Sequence, residues 1–200
     1  MRLLVACLFA FFIFSCQPKK TETQSKDSTA TKPAKDEAAI IGEQSEADSL
    51  KGSVRARAYG TIGTAEIKIA YYSPAVRERI IWGGLVPFDK VWVTGAHSAT
   101  SIECNQALII GDKEIPAGKY AFFTVPGKKE WTIIINKNWR QHLTDSYDAK
   151  DDLVRVKIIP EVENKNQERL RYVIESESAT QGEIVVYWEK LEISLPVRVK

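Results

Sequence analysis

Apolar and polar residues alternate with a period of two through most of the chain beyond Ser53. Ile67, Ile69 and Tyr71 fall on one side, Glu66 and Lys68 on the other. Val154, Val156 and Ile158 alternate with Arg155 and Lys157, and Leu170, Tyr172 and Ile174 with Arg169, Arg171 and Glu175. Two more alternating runs cover residues 184–189 and 191–200, with Trp188 on the apolar side of the first. Pro196 lies on the polar side of the second, a position suited to an edge strand, because proline has no N–H for a ladder. Strict alternation marks half-buried antiparallel strands.

Turn residues separate the runs. Gly111-Asp112 divides Leu108–Ile110 from Lys113–Ile115, Pro116-Ala117-Gly118 precedes residues 119–125, and Pro126-Gly127 precedes Trp131–Asn136. No long amphipathic helical stretch interrupts them. The pattern predicts an all-β domain over residues 53–200, an antiparallel β-sandwich of jelly-roll-like character. Its 148 residues suffice for a sizeable core. No internal repeat is present.

The first residues obey a different rule. Arg2 precedes an unbroken apolar run of twelve residues, 3–14, too short to span a bilayer, which needs about 20 residues, but right for a secretory signal. It ends in Ile13-Phe14-Ser15-Cys16 and gives way at once to Gln17-Pro18-Lys19-Lys20. A small residue before a cysteine at the end of such a run resembles the bacterial lipobox, with Phe14 in place of the usual smaller aliphatic residue. The resemblance implies a lipoprotein signal peptide over residues 1–15 and acylation of the Cys16 thiol, palmitate included, as the membrane anchor. Gln17 is not the aspartate that favours inner-membrane retention. The expected location is the cell envelope, lipid-anchored in the outer membrane and facing the periplasm.

Residues 16–52 are rich in Lys, Thr, Ser, Glu, Ala and Asp and hold no aromatic residue. That composition cannot bury enough apolar surface to offset chain entropy, so a disordered tether is expected, with an r.m.s. span of roughly 30–35 Å. A short helix around residues 38–50 would be marginal. All five tryptophans and all seven tyrosines lie beyond residue 58.

Charge and cysteine count narrow the classes. Lys plus Arg number 28 against 26 Asp plus Glu, interleaved as on a solvated surface, so no nucleic-acid footprint stands out. Cys7 lies in the leader and Cys16 at its end, which leaves Cys104 alone in the domain, unable to form an internal disulfide or a cysteine zinc site. Cys104 follows Ile102 at strand spacing and is expected to point inward.

A longer stretch carries a family resemblance. It runs Ser73-Pro74 and Val76, then Arg79, Trp82-Gly83, Leu85-Val86-Pro87-Phe88, Lys90-Val91-Trp92, Thr94-Gly95-Ala96 and Ala99-Thr100. It continues through Ile115-Pro116-Ala117-Gly118, Tyr120-Ala121, Phe123, Pro126, Trp131-Thr132, Ile134 and Asn136-Lys137. From about Tyr59 onward this resembles the domain-of-unknown-function 2911 family, mostly exported bacterial proteins. The resemblance implies an all-β domain and supplies no activity. The chain departs from the family pattern at Val93, where arginine is typical, at His97-Ser98, where an Asn-Glu pair is typical, and near Gln141-His142, where Trp-Gly is frequent.

Few residues suggest chemistry. His97-Ser98 is the one catalytic candidate pair, but neighbours on a strand point to opposite faces, and no Gly-x-Ser-x-Gly elbow exposes a serine. A metal site would have to combine His97 and His142 with Asp89, Glu103, Asp145 or Asp148, and histidines 45 residues apart lack ligand spacing. No metal and no cofactor is therefore expected. Trp82-Gly83-Gly84 lacks the following helix and lysine of a phosphate loop. Aromatic stacking on a glycan is the remaining option. Trp131 and Trp188 fall on apolar faces and read as core, while Trp139 and Trp82 are the exposed candidates, with Arg79, Asp89, Lys90 and His97 as polar contacts.

The sequence thus points first to a non-enzymatic envelope module that binds a glycan, peptide or protein partner. A hydrolase using His97, Ser98 and a carboxylate is the alternative, and a structural envelope component the third. The anchor is directly testable. Globomycin should accumulate the precursor, and Cys16→Ala should release the protein from membranes; a Cys16→Ala protein that still pellets with membranes would rule the anchor out.

Overall fold

The computed structural model describes Ile41 and residues 49–200. The leader, Cys16 and most of the expected tether lie outside the described residues. Those described form ten strands, one 3-10 turn and no α-helix. The strands are β1 (Val54–Ile62), β2 (Ala65–Ser73), β3 (Ser101–Cys104), β4 (Leu108–Ile110), β5 (Lys113–Ile115), β6 (Gly118–Val125), β7 (Trp131–Asn136), β8 (Asp152–Ile158), β9 (Glu161–Ser176) and β10 (Gln181–Arg198).

They build two antiparallel sheets, one of order β1-β2-β3-β6-β7-β8, the other β5-β4-β10-β9. The sheets pack face to face as the expected sandwich. The hairpins close where the glycines require it. Gly63 at φ 56° links Ile62 to its partner Ala65, and Gly111 at φ 60° links Ile110 to Lys113. A side chain on Gly63 would also strike the Ala179 carbonyl at 2.1 Å.

The alternation translates into burial. Ile67, Ile69 and Tyr71 are inside, as are Ile184, Val186 and Trp188, then Ile193, Leu195 and Val197. The apolar parity changes between Trp188 and Leu191, and the backbone shows why. Residues 180 to 199 in one extended strand would span roughly 60 Å, yet Val199 N donates to the Thr180 carbonyl at 2.9 Å. Ser194 Oγ likewise donates to the Glu183 carboxylate. β10 therefore turns back on itself at Glu189, which sits at φ 56° and where pairing with β9 shifts register. Two residues at the reversal restore the same face, so Trp188 and Leu191 both pack on the core.

Two expectations change. β10 lies between β4 and β9, so Pro196 is not on an edge strand. It escapes the ladders because pairing with β9 ends at Glu192 and pairing with β4 begins at Val197. Arg169, on the polar side of its run, is buried at 2% exposure. The chain leaving β2 crosses it, and its Nη1 donates to the Gly52 and Ser73 carbonyls, both at 3.0 Å.

Four indoles meet between the sheets. The Trp82 ring lies 4.7 Å from Trp131, 5.7 Å from Trp188 and 5.8 Å from Trp92, edge to face, while Trp92 stacks on Trp188 at 5.5 Å. A second, smaller cluster sits on the opposite face of the larger sheet. There Ala121, Phe123 and Ile134 pack with Val93, Ala99 and half-buried Trp139 and Tyr147. A polar chain joins the layers. Tyr172 Oη donates to the Thr94 carbonyl at 2.8 Å, and Thr100 Oγ1 donates to the same oxygen at 3.1 Å. Burial pushes the Tyr172 phenol well above its ordinary pKa, keeping it a donor.

Removing a fully buried ring leaves a cavity. Phe123→Ala should therefore destabilise the fold by about 3–5 kcal/mol in chemical denaturation. Tyr172→Phe should cost only about 1 kcal/mol, since Thr100 still satisfies the Thr94 carbonyl. A Phe123→Ala loss below about 1 kcal/mol would mean the outer cluster is not a packed core.

Candidate functional site

β6 and β7 carry apolar side chains on both faces, and two loops cover the outer face there. The first spans residues 91–100. It begins as a strand extension, with Trp92 N donating to the Thr124 carbonyl at 2.7 Å and Thr124 N donating back to the Trp92 carbonyl at 3.0 Å. The second spans residues 137–148. Asn136, at the end of β7, anchors it: Nδ2 donates to the Asp148 carbonyl at 3.0 Å and to Asp152 Oδ1 at 2.7 Å, and Oδ1 accepts from Asn138 N at 2.8 Å. Gln141 ties this loop internally. Its Nε2 donates to the Asn138 carbonyl at 2.6 Å and its Oε1 accepts from Ser146 N at 3.1 Å. Backbone bonds stitch the loops together, Leu143 N to the His97 carbonyl at 2.7 Å and Ala99 N to the Gln141 carbonyl at 3.1 Å.

This double cover stops above β3 and β6. Beyond its rim, over β1, β2 and β3, lies an open cleft of about 510 Å³. Ala70, Ala99 and Ser101 form a floor of small side chains, and Arg55, Arg57, Lys68, Lys119 and Arg140 surround it; among the described residues the lining holds no carboxylate. Trp139 stands in the loop wall with Lys119 Nζ 4.1 Å and the Arg140 guanidinium 4.7 Å from its ring centre. Cations on an indole face gain from its quadrupole, about 0.5–1 kcal/mol at exposed sites, so the indole favours both charges at the rim. The nearest compensation is Glu103, whose Oε2 is 3.6 Å from Lys119 Nζ across half-exposed side chains, a pair of little net strength. Among the described residues, Arg57, Lys68 and Arg140 make no ion pair.

The sequence candidates divide between two places. His97, Ser98 and Trp139 come together at the cleft's loop wall. Ser98 and Trp139 line it, and the exposed His97, at φ 62°, sets its ring edge-on 5.0 Å from Tyr72, which also lines it. Arg79, Trp82, Asp89 and Lys90 do not line the cleft. Arg79 folds onto its own turn, donating to the Val76 and Ala75 carbonyls. Trp82 is in the indole cluster, its Nε1 buried without a hydrogen-bond partner. Asp89, at φ 59°, and Lys90 are exposed beside Pro126, whose carbonyl accepts from Asp89 N at 2.8 Å.

No carboxylate hydrogen-bonds to His97 among the described residues. His142 Nδ1 pairs with Asp145 Oδ2 at 3.0 Å in solvent, and among the described residues no three His, Cys, Asp or Glu side chains gather as metal ligands. Cys104 is buried, its Sγ near the Pro116 and Gly118 carbonyls, and burial raises its thiol pKa. Carboxylates collect instead at the reversal of β10. There Glu192 is pushed above the usual carboxylate range by burial and by Glu163 and Glu161, beside Tyr187, pushed up to about 12 chiefly by burial.

The basic residues of the cleft carried no sequence signal of their own. Each is an outward position on a strand or loop, indistinguishable from a solvated charge until register places them side by side. Outward parity on β1 and β2, joined to a pairing scheme, was the only available hint.

Residues 53–197 match the family described as "Protein of unknown function (DUF2911)", and the chain belongs to that family. No curated protein and no solved structure matches it.

The wall depends on Gln141. Gln141→Ala removes both amide contacts and leaves Ser146 N–H and the Asn138 carbonyl without them, at a cost of about 1–3 kcal/mol. Hydrogen exchange should accelerate over residues 137–148 and stay unchanged in β2; uniform acceleration would show that the loop is not a separate unit.

Proposed function

We propose that this member of the DUF2911 family is a lipid-anchored envelope protein whose sandwich is a non-catalytic binding module, with the cationic cleft as the site for an anionic ligand. The lining of the cleft carries the reading: Arg57, Lys68, Lys119 and Arg140 stand around a small-residue floor, and among the described residues the one carboxylate beside them is Glu103, paired with Lys119. Ordinary solvated surface intersperses both signs. A concave patch of one sign focuses potential and raises the local concentration of the opposite charge. The ligand is then an envelope glycan or protein partner that bears acidic groups. Multiple acyl chains on Cys16 would hold the module to the membrane, and a flexible tether with a span of roughly 30–35 Å would let the cleft search the space above it.

The hydrolase alternative needs a nucleophile, a base within hydrogen-bond reach and a group that orients the base. His97 meets the Tyr72 ring instead of a carboxylate, and Ser98 lies in the backbone bridge to His142. These residues favour a wall over a reaction centre.

Immobilised heparin is a suitable probe of anion binding. The detergent-solubilised protein should bind it at low salt and elute as salt screens the cleft. The Arg57→Glu, Lys68→Glu double variant, with unchanged thermal unfolding, should bind at least about tenfold more weakly, a loss of about 1.4 kcal/mol. Equal retention of variant and wild type would place the anion site elsewhere, and no retention of the wild type would reject the reading.

A further inference from the structure

The charges of the cleft are not gathered at one point. Arg57 on β1 pairs with Ala70 on β2, Ala70 with Ser101 on β3, and Ser101 with Ala121 on β6. That row of small side chains is the floor, and it crosses the strands at right angles. Strands lie about 4.8 Å apart, so the row spans about 10 Å from Arg57 on β1 to Ser101 on β3, where the loop cover over buried Ala121 begins. Two residues along, Lys68 pairs with Glu103 and Glu103 with Lys119, so one long wall carries two lysines with a single carboxylate between them, held toward Lys119 at 3.6 Å. Arg57 marks one end, Lys119 and Arg140 on the Trp139 indole mark the other, and Lys68 stands between. Neutral hydrogen-bonding groups fill the middle: Tyr72, Ser98, Ser101 and Gln141.

A single small anion would satisfy one end and leave the other uncompensated. A chain with acidic groups at intervals satisfies both and offers hydroxyls to the neutral middle. We propose, resting on the anion-binding reading above, that the cleft takes an acidic glycan segment lying across β1, β2 and β3, with an anionic group at each end. Single-stranded nucleic acid fits less well, because its bases need open aromatic faces. Here the Trp139 ring carries two cations, and the Tyr72 ring carries the His97 imidazole.

The test compares galacturonic acid with galacturonan oligomers of increasing length, by calorimetry on the detergent-solubilised protein at fixed salt. Engaging both ends in one molecule should raise affinity over the monomer by at least about 100-fold. Arg57→Ser at one end, or Lys119→Ser with Arg140→Ser at the other, should each remove most of that gain, bringing the oligomer close to the affinity of the monomer. Monomer and oligomer affinities within threefold would overturn the two-ended site while leaving a one-point anion site intact. So would variants at both ends that weaken monomer and oligomer alike. Tighter binding of single-stranded DNA or linear polyphosphate than of the oligomer would overturn the glycan assignment. Absence of binding to every one of these polyanions would instead reject the anion-binding reading itself.

Discussion

The structure depends on a sheet that is apolar on both faces at its centre. In β6 and β7, Phe122 and Phe123 are fully buried though they point to opposite sides, and so are Ile133, Ile134 and Ile135. An antiparallel sheet commonly leaves one face to water. Here it cannot, so two covers are needed. The second sheet supplies the inner one. The loops of residues 91–100 and 137–148 supply the outer one, and they close only over the strands that require it. Where outward residues become small or polar, on β1, β2 and β3, the cover ends and the cleft begins. The site is thus the boundary of a packing solution.

That solution is held by few polar contacts. The Thr94 carbonyl, in the first loop, receives Tyr172 from the second sheet and Thr100 from the start of β3. Thr94 Oγ1 lies 3.0 Å from Thr124 Oγ1 on β6. One residue at φ 51° therefore ties loop, both sheets and the outer cluster together. Buried hydrogen bonds of this kind add little net stability but make alternatives expensive, because each unmade partner stays desolvated. The indole cluster does the opposite work: it adds buried area and tolerates the unpartnered Trp82 and Trp188 Nε1 atoms within it.

The sequence revealed the strands with large inward residues and missed what small ones hide. β2, β8 and both arms of β10 carry Ile, Val, Leu or Trp at alternate positions. β1 turns Ala56 and Ala58 inward, so its period is faint although both are buried. The parity change after Trp188 was visible, but only the fold-back shows it to be a reversal within one run. Arg169 was misplaced by alternation alone, since nothing local announces that the chain after β2 crosses over it. Of the site, the loop residues His97, Ser98 and Trp139 were visible because their residue types are chemically conspicuous. Arg57, Lys68 and Lys119 are contributed by three strands separated by up to 62 positions, and only long-range register brings them together.

That register makes the sheet a ruler. The gap between the backbone positions of Arg57 and Lys119 is counted in whole strands, so the ladder fixes it. The loop at the far end is different: it hangs from Asn136 and the stitch to residues 97–99, outside the ladders of the sandwich. Lengthening, shortening or recharging it would move one mark on the scale while the others stay fixed. A lineage of such domains can vary that wall by exchanging the exposed residues of one rim segment, provided Trp139 and Tyr147 go on covering the outer cluster.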